Sequence, residues 1–346
     1  MLDAREQKII DFIKSKKEVS SKEVFEGASL QVSYATIKRI LTKLTSDNLL
    51  TSKGKGKATK YMISSAYHLF QPIDMEEYYK KEIDERAINR HFNISLISDI
   101  LPYVSIFTKD ELDKLDALQN VYSENISHLT PIEYKKELDR SAIDLSWKSS
   151  QIEGNTYTLL ETERLLKEKE TASGRTKEEA MMLLNHKEAI DFIVANPDYL
   201  VPLAVSKIED VHSILVKDLD VDKNLRKSRI GISGTNYRPL DNEFQIKEAV
   251  NDMCNLINGK SNVFEKALLA VLLISYIQPF VDGNKRTARI VSNAILINNK
   301  YCPISFRTVD SIDYKKAILL FYEQNNISHF KEIFLNQFEF AVKTYF

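Results

Sequence analysis

A mainly α-helical fold is predicted by three observations. Only nine glycines and eight prolines occur in 346 residues, too few for the frequent turns that sandwiches and barrels build from them. Apolar residues recur at three- and four-residue spacing along much of the chain. Cap residues followed three positions later by glutamate, as in Asn262 with Glu265 and Thr158 with Glu161, mark helix starts. The length allows two or three domains, and 43% hydrophobic with 28% charged residues is ordinary for a globular protein with a sizeable core.

Residues 1–65 read as helix, helix, helix, hairpin. Ile9, Phe12 and Ile13 mark one face of a first helix. Ser20 or Ser21 can cap a second, and Ser33 a third that carries Ile37, Ile40, Leu41 and Leu44, with Asp47-Asn48 as its stop. Two short strands, 49–52 and 59–63, flank a lysine-rich tip from Lys53 to Lys57. The segment holds 13 Lys and Arg against 7 Asp and Glu, while the rest of the chain holds 35 against 42. A small basic domain therefore precedes a larger acidic one. Its order resembles a winged helix-turn-helix. The resemblance implies a third helix in the DNA major groove and a wing on phosphates, with Lys38, Arg39, Lys43, Lys53, Lys55 and Lys57 as candidates. Protein contact or dimerisation through the same fold stays open.

Residues 66–137 are polar and helical, punctuated by Pro72, Pro102 and Pro131, and read as a connector packed on the main domain. No chemistry is assigned to it. The start of the chain is too charged for a secretory apolar segment, and the longest apolar run, Ala267 to Ile274, is too short to span a bilayer. A cytoplasmic protein with no membrane partner is expected. Cys254 and Cys302 stand apart without metal-ligand spacing and read as core residues.

The informative stretch lies in residues 138–346. From Asn262 a helix apolar all round runs to Gln278-Pro279, so it should be buried at the centre of its domain. After Phe280-Val281 come Asp282-Gly283-Asn284-Lys285-Arg286 and a second helix to about Ile297. Unpaired N–H groups and the positive dipole end at a helix start make an anion site. Arg286 and Arg289 lie three residues apart on one face, where two guanidinium forks can grip phosphate. Asp282 at the mouth is placed to hold a magnesium ion.

Residues 278–289 resemble the Fic motif, His-x-Phe-x-(Asp/Glu)-Gly-Asn-(Gly/Lys)-Arg-x-x-Arg, at seven of its eight specified positions. The resemblance covers most of 140–346 and implies an all-helical core with a small β-hairpin flap. It also implies AMP transfer from ATP to a hydroxyl of a target protein, with magnesium on Asp282. By the same resemblance Gly283, Asn284 and Lys285 line the inner phosphates, Arg286 and Arg289 bind the outer ones, and Phe280 anchors the loop. Lys285 stands where the family often has glycine; Doc toxins, which phosphorylate, share the lysine. Ahead of the motif, Arg226 and the stretch 228–235, with Ile230, Gly231, Ile232 and Gly234, resemble the family's target-binding flap, which pairs with a target strand.

The departure is Gln278. The family's histidine takes the proton from the attacking hydroxyl, and a carboxamide cannot accept it, although it still forms hydrogen bonds. None of the six histidines is near the motif in sequence. Upstream, Ser149 to Gly154 resembles the family's inhibitory motif, (Ser/Thr)-x-x-x-Glu-(Gly/Asn), in the subclass that carries it before the core. This implies that Glu153 pairs with Arg289 and blocks the outer phosphate. Glu153 also falls in the last turn of its helix, where the dipole opposes a negative charge and calls for a cation. Three readings follow: an autoinhibited, weak or silent protein adenylyltransferase; a non-catalytic nucleotide-binding regulator acting on DNA or a partner through the winged helix; or removal of AMP using Glu153. The target and any homo-oligomer are not fixed by the sequence.

Overall fold

The computed structural model describes residues 2–346, the side chain of Lys57 excepted. The Asp3 carboxylate accepts from the N–H groups of Arg5 and Glu6, and Glu6 returns to the Asp3 N–H. This closed box starts α1 (Ala4–Lys16). Ser20 and Glu23 form the same box for α2 (Ser21–Gly27), and Ser33 caps α3 (Tyr34–Ser46). Such caps each stabilise a helix by about 1 kcal/mol. β1 (Glu18–Ser20), β2 (Leu50–Lys53) and β3 (Lys60–Ile63) form an antiparallel sheet in the order β1-β3-β2. Three residues are too few to show strand alternation, which is why β1 was not legible. At the wing, Gly54 has φ +89°, and a Cβ there would meet the Ala58 carbonyl oxygen at 2.7 Å. Ile9, Ile13, Val24, Ile37, Leu41 and Leu44 form this module's own core.

The connector carries α4 (Tyr67–Phe70), α5 (Met75–Lys80) and α6 (Lys109–Ser127). Tyr67 packs in the winged-helix core, whereas Ala66, Leu69, Leu96, Leu115 and Tyr122 belong to the large core of the main domain. The join between modules is thus shared packing. Asn262 caps its helix through the Glu265 N–H, but the Glu265 carboxylate does not close the expected box. It accepts instead from the Ile106 N–H at 2.6 Å and pairs with Lys260 at 3.2 Å. A buried tertiary partner outcompetes the local one.

The main domain contains α7 (Pro131–Ile152), α8 (Leu159–Glu168), α9 (Lys177–Ala195), α10 (Val205–Leu215), α11 (Glu243–Gly259), α12 (Val263–Ile277), α13 (Asn284–Asn298), α14 (Ser311–Gln324) and α15 (Ser328–Tyr345). Thr130 and Glu133 box the start of α7, with Pro131 in its first turn, so the boundary expected at 137/138 falls inside a helix. Every residue of α12 from Ala267 to Ile277 is buried, with α11, α13 and α14 packed around it. The core forms around this hydrophobic rod. Residues 228–235 form no strand; the segment bends at Ser228 and turns at Ser233-Gly234, where φ is +87° at the glycine, and among the described residues the three strands all lie in the winged-helix module. Among the described residues, no helix is long and apolar enough to cross a membrane.

Candidate functional site

α12 ends because Gln278 adopts left-handed backbone, φ 52° and ψ 60°, and α13 begins after Gly283 at φ 77°. Between them the carbonyls of Gln278, Pro279, Phe280 and Asp282 each have a hydrogen-bond partner. Arg226, 1% exposed, donates from Nε to the Gln278 carbonyl at 2.6 Å and from its N–H to the Pro279 carbonyl at 2.9 Å. Asn284 Nδ2 donates to the Phe280 carbonyl, and its Oδ1 accepts from the Phe280 N–H, both at 2.8 Å. His212 Nε2 lies 3.0 Å from the Asp282 carbonyl, and its ring stacks on Phe280 at 3.7 Å between centroids. A Cβ on Gly283 would meet the His212 ring at 3.3 Å. The loop is preorganised by groups from α10, α13 and the flap.

No side chain caps α13, so its first N–H groups remain for a ligand. They border a cleft of about 440 Å³. Gln278, Asp282, Gly283, Asn284, Lys285 and Arg286 line one side; Glu153 and the flap residues Ile230, Gly231 and Ile232 line the others. Gly234 is not among the lining residues; it sits in the flap turn, and a Cβ there would meet Leu319 at 3.3 Å. Lys315 and Leu319 from α14 also line the cleft, and nothing in the local sequence signalled them.

Gln278 is occupied internally. Its Nε2 donates to the Ser275 carbonyl at 2.6 Å and lies 3.4 Å from the Tyr322 hydroxyl, while its Oε1 accepts from Asn284 Nδ2 at 3.0 Å. Because Asn284 must donate there, the amide orientation is set by the network. The expected use of this carboxamide on a ligand is therefore replaced by a structural one, and the Asn284 side chain is consumed in the same way. No histidine is among the described lining residues. Burial, with Arg289 and Arg286 adding to it, pushes the enclosed His186 well below the usual histidine value. Burial lowers His212 as well.

The cations divide. Arg286 Nη2 pairs with the exposed Asp282 carboxylate at 2.9 Å. Arg289, 0% exposed, turns to the end of α7: Nε donates to Ser149 Oγ at 2.8 Å, and Nη2 donates to the Ser149 carbonyl at 3.0 Å and to Glu153 Oε1 at 2.8 Å. Lys285 Nζ donates to the other carboxylate oxygen of Glu153, also at 2.8 Å. Two cations thus answer the charge at the helix C-terminus, where one was expected. Burial raises the Glu153 carboxyl, but Arg289 and Lys285 outweigh it and hold the value at about 2. Arg286 and Arg289 do not converge here, since Glu153 stands between Arg289 and the cleft.

Among the described residues, no group of three or more His, Cys, Asp or Glu side chains could hold a metal. Asp282 alone suits a magnesium ion only when phosphate oxygens complete the octahedron, which is how that ion is commonly bound.

On the winged helix, Lys38, Arg39, Lys53 and Lys55 are exposed. Lys38 and Tyr34 border a groove of about 1000 Å³ between α2, α3 and the wing. Lys43 departs from expectation: it pairs with the buried Glu6 carboxylate and faces the groove toward the main domain. Lys60 pairs with Glu23 at 2.7 Å. The side chain of Lys57 lies outside the described residues.

An all-helical domain with a preorganised phosphate-type loop at a buried helix pair defines the class of protein. Residues 202–296 match the Fic/DOC family, so this part of the chain is a Fic/DOC domain. Residues 2–118 match the Penicillinase repressor family, in keeping with the winged helix and reaching beyond it into α6. A protein adenylyltransferase Fic from Nematostella vectensis is 26% identical over 231 residues, 62% of this chain and 51% of that protein. One from Drosophila melanogaster is 25% identical over 161 residues, 46% and 33% respectively. The chain spans about half or less of the length of these curated relatives. The structure of Fic-1 from C. elegans superposes with a TM-score of 0.59 at 18% identity, covering 68% of this chain and 72% of that one. A Fic family protein from Desulfovibrio desulfuricans gives 0.56 at 19%, covering 70% and 75%. These two likenesses carry the fold.

Proposed function

We propose that this chain is a Fic-family protein that takes up ATP with magnesium at the α12–α13 loop. Glu153 holds it inhibited, and transfer of AMP to a target-protein hydroxyl is weak or absent. The observation that carries this reading is the Glu153 carboxylate shared between Arg289 and Lys285, which occupies the cations an outer phosphate needs. Gln278 supports the second half. Its amide is engaged on both sides and has no basic atom, so the proton of an attacking hydroxyl has no acceptor there. The unpaired edge at Ile230–Ser233 would receive the target segment as an added strand. Asp282 would leave Arg286 to share the magnesium ion with phosphate oxygens.

A second reading, regulation through the winged helix, is favoured by one feature. The corner between α14 and α15 grips both ends of α4: Asn326 Nδ2 donates to the carbonyls of His68 and Gln71, and the Ile327 N–H donates to the Leu69 carbonyl. α14 also lines the cleft, so the helix that borders the cleft leads directly into the corner that holds α4. Removal of AMP with Glu153 positioning water is less favoured while both oxygens of its carboxylate are engaged by Lys285 and Arg289.

Titration of the purified protein with magnesium-ATP, alongside labelled-AMP transfer in lysate, tests the proposal. Glu153→Gly is expected to tighten binding roughly tenfold, the scale of one charged hydrogen bond, without restoring strong transfer. Robust self-modification by that single variant would sink the claim that Gln278 is limiting.

A further inference from the structure

We infer that Lys285 changes sides: it is the second cation of the Glu153 lock in the closed state and a ligand of the terminal phosphoryl group once the lock opens. The inference rests on the nucleotide reading above. It makes this lysine the residue that sets which anions can open the site.

The geometry gives the reason. Arg289 is tied to Ser149 by two hydrogen bonds that do not involve Glu153, so it stays at the end of α7 whatever the carboxylate does. Lys285 has no such second tie. Among the described residues its one charged partner is Glu153 Oε2, its side chain is 24% exposed, and it lines the cleft. It is free to follow whichever anion is present. The lock also leaves a deficit: Arg289 Nη1 is buried without a hydrogen-bond partner, a costly state for a charged donor. A carboxylate has two oxygens, and here both are used, one on Arg289 and one on Lys285. A terminal phosphoryl group has three, enough for Lys285 and for both outer nitrogens of Arg289. The ligand class that opens the lock is therefore one ending in a terminal phosphoryl group, and a carboxylate or a singly charged anion should fail.

The consequence is an effect that depends on the Glu153 background. With Glu153 present, Lys285→Ala loses a lock contact and a phosphate contact together, the two losses oppose each other, and magnesium-ATP affinity should change by less than about threefold. With Glu153→Gly, the same change removes only the phosphate contact and should weaken binding roughly 3- to 30-fold, the range expected for a partly exposed charged hydrogen bond.

Magnesium-ATP dissociation constants for the full chain, Lys285→Ala, Glu153→Gly and the double variant form the test. A near-neutral effect with Glu153 present and a clear loss in the Glu153→Gly background support the inference, and equal effects in the two backgrounds overturn it. If Glu153→Gly binds no magnesium-ATP, the nucleotide reading has failed and this inference falls with it. Hydrogen exchange without nucleotide examines the closed state separately. Amides of Gln151 to Asn155 should exchange faster in Lys285→Ala than in the wild type, with no further gain in the Glu153→Gly background. Unchanged exchange would remove Lys285 from the lock even if nucleotide binds. Lys285→Gln, which keeps the bulk of the side chain, should reproduce both results and guards against a folding defect.

Discussion

Two regions of this protein are rich in cations, and they work in opposite ways. On the winged helix, Lys38, Arg39, Lys53 and Lys55 stand in solvent, so their charges act through a screened surface potential. At the α13 start, Arg286 and Arg289 are buried and Lys285 is half-buried, and each is neutralised by a carboxylate of the same chain. Exposed cations attract any polyanion at low salt. Enclosed, paired cations admit only an anion that replaces the internal one. Lys43 sharpens the contrast, because it lies on α3 with Lys38 and Arg39 yet is paired with Glu6 like a site cation.

The largest expected effect lies in the enclosed region. Gln278→His combined with Glu153→Gly should raise adenylyl transfer by about 10²- to 10⁴-fold, since it supplies a proton acceptor and frees Arg289. Gln278→His alone should do less, because Glu153 still occupies both cations. Mass spectrometry for added AMP on the protein itself or on lysate proteins reads the outcome. Measurable magnesium-ATP binding without any adduct would mean that the loop has left this chemistry.

An intermediate effect belongs to the exposed region. Neutralising Lys53, Lys55 and Lys57 should weaken duplex DNA binding and reduce the slope of log affinity against log salt by roughly 0.9 per lost phosphate contact. Lys43→Gln should leave that slope nearly unchanged. A wild-type protein with no salt-sensitive DNA affinity at low ionic strength would make the module a protein-contact domain, and the contrast between the regions would reduce to burial.

The smallest effect concerns pH. The Glu153 carboxyl is depressed from 4.5 to about 2, so its contribution to the closed state is complete above the ordinary value and is lost only as pH falls toward 2. The ratio of magnesium-ATP affinities between Glu153→Gly and wild type should therefore stay flat from pH 8 to pH 5. A ratio that collapses between pH 7 and pH 5 would show that Glu153 is not held by two cations.

The sequence by itself determined what depends on neighbours along the chain. The caps at Ser20, Ser33 and Thr158, the stop at Asp47-Asn48 and the turn at Gly283 are local, because a helix end must satisfy its N–H and C=O groups within a few residues. The apolar run of α12 announced a central helix for a similar reason, since a segment with no polar face has to be enclosed. Motif spacing brought Gln278, Glu153 and Arg289 into one argument. Tertiary structure alone decided which polar atoms meet across the fold. Glu265 abandons its box for the Ile106 N–H, 159 positions away; His212 stacks on Phe280 from another helix; Lys285 reaches Glu153 across 132 positions. A buried donor or acceptor takes the partner that packing brings to it, and burial makes an unpaired one expensive. No local pattern encodes that choice.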